Sequence, residues 1–243
     1  MRAKALRLGL FLLLSGASTP LLAQTGTVPA ASDQPAPDDG YRLWMRYPAR
    51  TVAPDAVTVR GRSATLDAAA AELRRGLPAG FGPVLLATAR DPHIQALRLP
   101  SPGPEGYVVR RASIGGRSTV VVTGDDERGV LYGAFALLRQ VAVNGASAAI
   151  DLRSRPRVAL RVLDHWDNLD GVVERGYAGK SLWDWWTLPD YRDPRYTDYA
   201  RANAAIGING TVLNNVNAKA ESLTAPYIAK AAALADIFRP YGI

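Results

Sequence analysis

An α/β chain in two parts is expected, a small mixed domain followed by a parallel βα series, and three observations predict it. Strand-like apolar runs alternate with helix-spaced segments from about residue 66 to residue 238. From Arg157 onward the order becomes strand, helix, strand, helix, the pattern of a parallel sheet covered by its crossover helices. Hydrophobic residues make up 48% and charged residues 21% of the 243 positions, which is a globular composition with room for one or two domains.

The elements follow in order. Arg2, Lys4 and Arg7 precede the apolar run Leu8 to Leu14, and Leu21-Leu22-Ala23 forms a cleavage site before Gln24, so residues 1–23 read as a secretory signal. That run falls short of the roughly 20 residues needed to span a bilayer, and Ser15, Gly16, Ser18 and Pro20 interrupt it, which argues against a retained anchor. Export to the periplasm or the medium is expected, with no membrane attachment after cleavage. Residues 24–40 are rich in Pro, Ala and Asp without periodicity and read as a disordered linker.

A first domain is expected over residues 41–153. It opens with a β-type run from Tyr41 to Tyr47. Leu66, Ala70, Leu73 and Leu77 share one helical face, which Pro78 and Gly80 end. Strands are expected at 84–89, 107–110 and 119–123. The last turns at Gly124-Asp125-Asp126-Glu127 into a helix bearing Val130, Leu131, Ala134, Leu137, Leu138 and Val141. This strand, turn and helix does not suit a dinucleotide. Gly124, Gly129 and Gly133 do not form GxGxxG, and three consecutive acids would repel a pyrophosphate at the helix N-terminus, so the glycines read as turn and close-packing positions.

A second domain is expected over residues 157–243, with a strand at 158–163, a helix at 196–206, a strand at 210–213 and a helix at 225–238 closed by Pro240 and Gly242. Since a complete (β/α)8 barrel takes about 250 residues, these residues correspond to the first third of a TIM barrel. Ile243 would open a third strand, and the chain is expected to be a piece of a longer protein.

Several chemistries are excluded by composition. There is no cysteine, so disulfides, thiolate metal sites and cysteine nucleophiles are absent. With only His93 and His165, no histidine-rich metal centre is expected, and no cofactor is called for. The net charge of +7 comes from arginines scattered among acids rather than from a basic stripe, so nucleic acid is not an expected partner.

The most informative stretch is Val162-Leu163-Asp164-His165-Trp166-Asp167-Asn168-Leu169-Asp170-Gly171, where an apolar strand ends in acids, an imidazole, an indole and an amide. In parallel α/β barrels the chemistry gathers at the C-terminal ends of strands. Asp164 to Asn168 follow the first strand and Asn214-Asn215-Val216-Asn217 the second, so both would face one mouth. The long loop from Leu169 to Pro194 adds Trp183, Trp185, Trp186 and Tyr191, which either reach a ligand or cover the barrel. Trp, Asn, Asp and His in one shell offer a flat apolar face and hydrogen bonds, as a pyranose needs. Trp166 could equally be a core aromatic and Val216 a packing residue. Asp164, His165, Asp167 and Asn168 could bind hydroxyls or fix the loop, and Arg175 and Lys180 could hold a carboxylate or make structural ion pairs.

Asp164 to Gly171, together with Glu174-Arg175-Gly176-Tyr177-Ala178-Gly179-Lys180-Ser181 and Asn203 to Asn217 (Asn203-Ala204-Ala205-Ile206-Gly207-Ile208-Asn209-Gly210-Thr211-Val212-Leu213-Asn214-Asn215-Val216-Asn217), resembles the bacterial xylan α-glucuronidases of glycoside hydrolase family 67. Gly124 to Ala134 resembles that family's small N-terminal domain, which is like the second domain of hexosaminidases. The resemblance spans about residues 40 to 243. It implies an exported hydrolase that removes glucuronic acid or its 4-O-methyl form from xylan-derived aldouronic acid oligosaccharides, with inversion, and with a homodimer as the candidate assembly. It implies that Trp166 stacks on the uronate ring and that Val216 lies near its O4. The general acid and base are expected on later strands, beyond residue 243, so no residue here is assigned to them. A β-hexosaminidase-like hydrolase, or a noncatalytic sugar-binding protein if the gene ends at residue 243, are the alternatives.

Overall fold

The computed structural model of the chain describes residue 53 and residues 56–243. The signal, the linker and the 41–47 run lie outside the described residues.

Five strands form one sheet: β1 (Val57–Arg60), β2 (Val84–Thr88), β3 (Tyr107–Ile114), β4 (Arg117–Gly124) and β5 (Asp151–Ser154), in the order β1-β2-β4-β3-β5. β1, β2 and β4 are parallel, while β3 runs antiparallel to both β4 and β5. Alternation along the strands sorts the two faces. Val84, Leu86, Val109, Val120 and Val122 pack under helices α1 (Ala64–Gly76) and α3 (Glu127–Asn144), whereas Leu85, Ala87 and Val121 meet Ile94 of the short α2 (Pro92–Ala96). β1, α2 and β5 are too short or too polar to show in the sequence pattern. Ser63 caps α1 by accepting from the Leu66 N–H, and Asp126 caps α3 by accepting from the Gly129 N–H.

The glycines around α3 are close-packing positions, as expected. A Cβ on Gly129 would lie 2.1 Å from the carbonyl oxygen of Gly106, and one on Gly124 would lie 2.6 Å from the same atom. Asp126 also accepts from the Glu105 N–H, so side chains and a neighbouring backbone already occupy the start of α3.

The parallel pair that follows is β6 (Val162–Asp164) and β7 (Gly210–Val212), with Asp164 opposite Val212. Strand β6 is shorter than the expected 158–163. Arg161 turns its guanidinium back onto the carbonyls of Val158 and Ala159, which keeps that stretch out of the ladder. Helices α4 (Pro194–Ala205) and α5 (Ala225–Phe238) cover one side of the pair, as crossover helices do.

Two polar links join the five-stranded layer to this βα series. Glu72 of α1 is fully buried and receives the Arg201 guanidinium of α4 through two contacts, Nε at 2.6 Å and Nη2 at 3.1 Å. Ala204 and Ala205, at the end of α4, lie in the same apolar core as α1 and α3. The second link is Glu105, whose carboxylate accepts from Arg128, Arg161 and Asn209. Burial works to raise its pKa, but those donors outweigh it and hold the carboxyl below its ordinary value. Arg161 and Asn209 immediately precede β6 and β7, so Glu105 anchors the foot of the pair.

Candidate functional site

The register of β6 and β7 decides which side chains reach the mouth. Leu163 pairs with Thr211, and the Thr211 hydroxyl meets Tyr199 Oη of α4 at 2.9 Å, so this side of both strands faces the helices. By alternation Asp164 and Trp166 face the opposite side, the inside of the barrel. Trp166 is 45% exposed and takes no part in the described aromatic clusters. It lies outside the apolar cores of the described residues. Asp164 is exposed, with no hydrogen bond or ion pair among the described residues. Val216, on the loop after β7, is 80% exposed.

His165 has the other parity. Its N–H donates to the Val212 carbonyl, adding one rung to the ladder. Its ring lies edge-on to Trp183, centroids 5.3 Å apart, and Nε2 is 2.8 Å from Tyr199 Oη. Burial depresses its pKa, against the opposing pull of the Asp167 and Asp164 charges. These contacts place the His165 ring in the helical layer, on the loop-fixing side of the two roles open to it.

Asp167 and Asn168 fix the loop. The Asp167 carboxylate, nearly fully buried, accepts from the Ser181 hydroxyl and the Leu182 N–H, while its backbone carbonyl accepts from the Asn215 N–H. Asn168 donates its amide to the carbonyls of Val172 and Glu174. The loop it closes returns to the mouth, because the Glu174 N–H donates to the Trp166 carbonyl at 2.8 Å. The Asn168 amide N–H groups thus serve the backbone of the loop. Its side chain still lines a cleft of ≈ 530 Å³ with Asp170, Glu174, Arg175, Asn215 and Lys219.

Arg175 stands in this cleft with its side chain 85% exposed and only a loose 3.9 Å approach to Glu174. Lys180 is exposed, joined to Val172 by a backbone bridge, and is not part of the cleft wall. Lys219 escaped the sequence reading. Its only signal was its position in the loop after β7, four residues past Asn215.

The aromatic loop residues divide. Trp183 and Trp185 are buried with Leu188, Tyr196, Ala200, Leu234 and Phe238, forming the core between the loop and helices α4 and α5. Trp186 is 68% exposed and rests on Gly171, where a Cβ would lie 2.6 Å from its ring. A larger cavity of ≈ 660 Å³ lies elsewhere, beside Glu105 and Asp125 to Arg128. The capping and packing described above account for its polar walls. Among the described residues no group of three or more His, Cys, Asp or Glu is placed to hold a metal, and no helix is long and apolar enough to cross a membrane.

Residues 80–137 match the glycosyl hydrolase family 67 N-terminus, and residues 140–243 match the glycosyl hydrolase family 67 middle domain. The probable alpha-glucuronidase A of Aspergillus oryzae is 33% identical over 234 residues, covering 85% of this chain and 27% of that protein. Alpha-glucuronidase A of Emericella nidulans is 33% identical over 241 residues, covering 85% and 28%. The Aspergillus terreus protein, also a probable alpha-glucuronidase A, reaches 42% over 128 residues, or 52% of this chain and 15% of its own length. The chain thus spans little more than a quarter of the length of such relatives. Among solved structures, a GH138 enzyme targeting pectin rhamnogalacturonan II superposes on 80% of this chain and 30% of its own with a TM-score of 0.52 at 16% identity, a likeness of fold alone. The two adjoining domain matches, the α/β fold with its parallel βα series, and the agreement with the relatives across both domains establish that this chain belongs to glycosyl hydrolase family 67.

Proposed function

We propose that the chain supplies the N-terminal domain and the opening strands of the catalytic barrel of an exported α-glucuronidase. Its reaction is inverting hydrolysis of the α-1,2 bond that joins glucuronic acid, or its 4-O-methyl form, to xylo-oligosaccharides. The observation that carries this reading is the half-exposed Trp166 beside an Asp164 without a side-chain hydrogen bond or ion pair among the described residues, just past the C-terminal end of β6, in a chain of family 67.

In this mouth the Trp166 ring offers its face to the C–H side of the uronate. Asp164 accepts from sugar hydroxyls, a role that suits it better than contact with the uronate carboxylate, which like charge disfavours. Val216, exposed on the loop after β7, is the residue we assign to the O4 substituent. The cleft lined by Arg175, Lys219, Asn215 and Asn217 offers hydroxyl and carboxylate partners.

Inversion requires one carboxylic acid to protonate the xylose oxygen as it leaves and one carboxylate to take a proton from the attacking water, the two lying about 6.5–9.5 Å apart. Asp167 is spent on the Ser181–Leu182 turn and Glu174 on Asn215. We place the acid and the base on other strands of the barrel. The test is to express the complete reading frame that contains these residues and follow an aldouronic acid by proton NMR. Release of glucuronic acid, first as its β-anomer, supports the reading. Intact substrate, or release of the α-anomer first, would refute hydrolysis or inversion respectively.

A further inference from the structure

A second concave surface lies at the opposite end of β6 and β7 from the mouth. Two adjoining cavities share Ser154 and Arg155. One, of ≈ 530 Å³, is walled by Ser101 to Gly103 and Arg153; the other, of ≈ 430 Å³, by Glu105, Tyr107, Tyr132, Arg139, Pro156, Arg161 and the end of α4. Arg161 and Gly207 precede the two strands, which sets this groove at the foot of the barrel rather than at its mouth.

Its charge is lopsided. Of the four arginines, Arg161 is matched by Glu105. Arg153 donates to the Ser101 carbonyl and Arg139 to the Ala205 carbonyl, contacts that orient each guanidinium without neutralising it. Arg155 forms no hydrogen bond or ion pair among the described residues, yet its guanidinium lies against the Gly103 turn, where a Cβ would come within 3.3 Å. Three positive charges from α3, β5 and the turn after β5 therefore bound one groove whose wall also carries the Glu105 carboxylate, which Arg161, Arg128 and Asn209 engage. Such a concave field attracts anions, and a guanidinium offers a carboxylate two parallel donors. The register puts Tyr107 opposite Ser154, so a half-buried phenol ring and a hydroxyl sit side by side in the same wall, with Pro156 beside them.

We propose that this groove is a second carbohydrate-binding site, which takes a uronic-acid residue of the polysaccharide through Arg139, Arg153 and Arg155 against the Tyr107 face. The ligand class rests on the α-glucuronidase reading; the anion preference rests on the groove alone. Bound there, a uronate further along a substituted xylan would tether the polymer while the mouth works on another branch.

The test titrates the full chain with glucuronate, with neutral xylo-oligosaccharide and with inorganic phosphate, following amide NMR shifts. Glucuronate should move signals around residues 101–107 and 153–156, and the neutral sugar should not. Arg155→Ala combined with Arg153→Ala should weaken that binding about tenfold or more, since each charge-assisted contact is worth that order. Trp166→Ala should leave it unchanged. Binding that is lost with Trp166→Ala but kept in the arginine variant would overturn the site, and phosphate binding as tight as glucuronate would overturn its ligand class. In the active protein the arginine variant should lose rate on polymeric glucuronoxylan and keep it on short aldouronic acids. Glucuronate binding at the groove without any hydrolysis by the wild type would separate failure of the α-glucuronidase reading from failure of this one.

Discussion

Tyr199 Oη stands 2.8 Å from His165 Nε2 and 2.9 Å from Thr211 Oγ1, so one hydroxyl on α4 ties the end of β6 to β7. The ring that looked like a substrate ligand is thereby committed to the helical layer, and its neighbour Trp166 is left to face the barrel interior. Tyr199→Phe keeps the ring among Trp183 and Phe238 and removes both contacts. Leaving those partly buried partners unmatched should cost about 1–3 kcal/mol, read as a lower urea midpoint with little change in the far-ultraviolet circular dichroism. A midpoint equal to the wild type would show that the hydroxyl bridge carries no weight.

His165 should also report its burial by titration. Its folded pKa lies below the ordinary imidazole value, because burial outweighs the Asp167 and Asp164 charges. A depressed histidine favours the native state while neutral, so its contribution is complete above the unfolded value, about 6.5. It falls away as pH drops toward the folded value. The ring protons of His165 can be followed by NMR. His165 should titrate below the ordinary imidazole value; a midpoint above that value would contradict its placement against Trp183.

The buried Glu72–Arg201 pair gives a sharper stability test. Glu72→Ala removes the buried carboxylate that faces Arg201 and leaves the guanidinium with Asp198 among its partners, so the cost should be substantial but below the about 3–5 kcal/mol of a fully orphaned buried charge. Replacing both partners with apolar residues of similar size should recover most of that loss. Equal destabilisation in the single and double variants would mean that packing, rather than an uncompensated charge, governs the junction of α1 and α4.

Gly129→Ala tests the close approach at the start of α3. Its methyl would fall 2.1 Å from the Gly106 carbonyl oxygen, so either the helix or the 105–106 turn must shift. Overpacking of this kind costs about 1–3 kcal/mol. A melting temperature at or above that of the wild type would refute the reading, since alanine otherwise favours a helix interior.

Periodicity made the larger elements legible. The 3.6-residue spacing of Leu66, Ala70 and Leu73 and the run from Ala225 to Phe238 give helices within two residues of their expected limits, and the long apolar face of α3 gives one that runs three residues past Val141. Short or polar elements were not legible: α2 is five residues long, and β5 buries little beyond Leu152. The strand expected from Val158 fails for a reason no pattern carries, because Arg161 folds back onto its own preceding carbonyls under the pull of Glu105, 56 residues away. At the site, residue types announced a polar strand end, but parity decided the roles. Asp164, His165 and Trp166 are consecutive, and only the β6–β7 register shows that the middle one faces the helices. The Arg139–Arg155 groove was likewise invisible, since its arginines come from separate elements.

The central claim is that Trp166 stands in the mouth as a substrate face rather than as part of the core, and one substitution measures it most directly. Trp166→Ala, made in the protein expressed from the complete reading frame, should fold with a nearly unchanged melting temperature, because the indole is 45% exposed. On aldouronic acids it should show a raised KM and a kcat/KM lowered by at least tenfold, as expected when a stacking face and the positioning it provides are lost together. A large fall in melting temperature, of the kind that follows about 3–5 kcal/mol of lost core packing, with kcat/KM per folded molecule unchanged, would contradict the account.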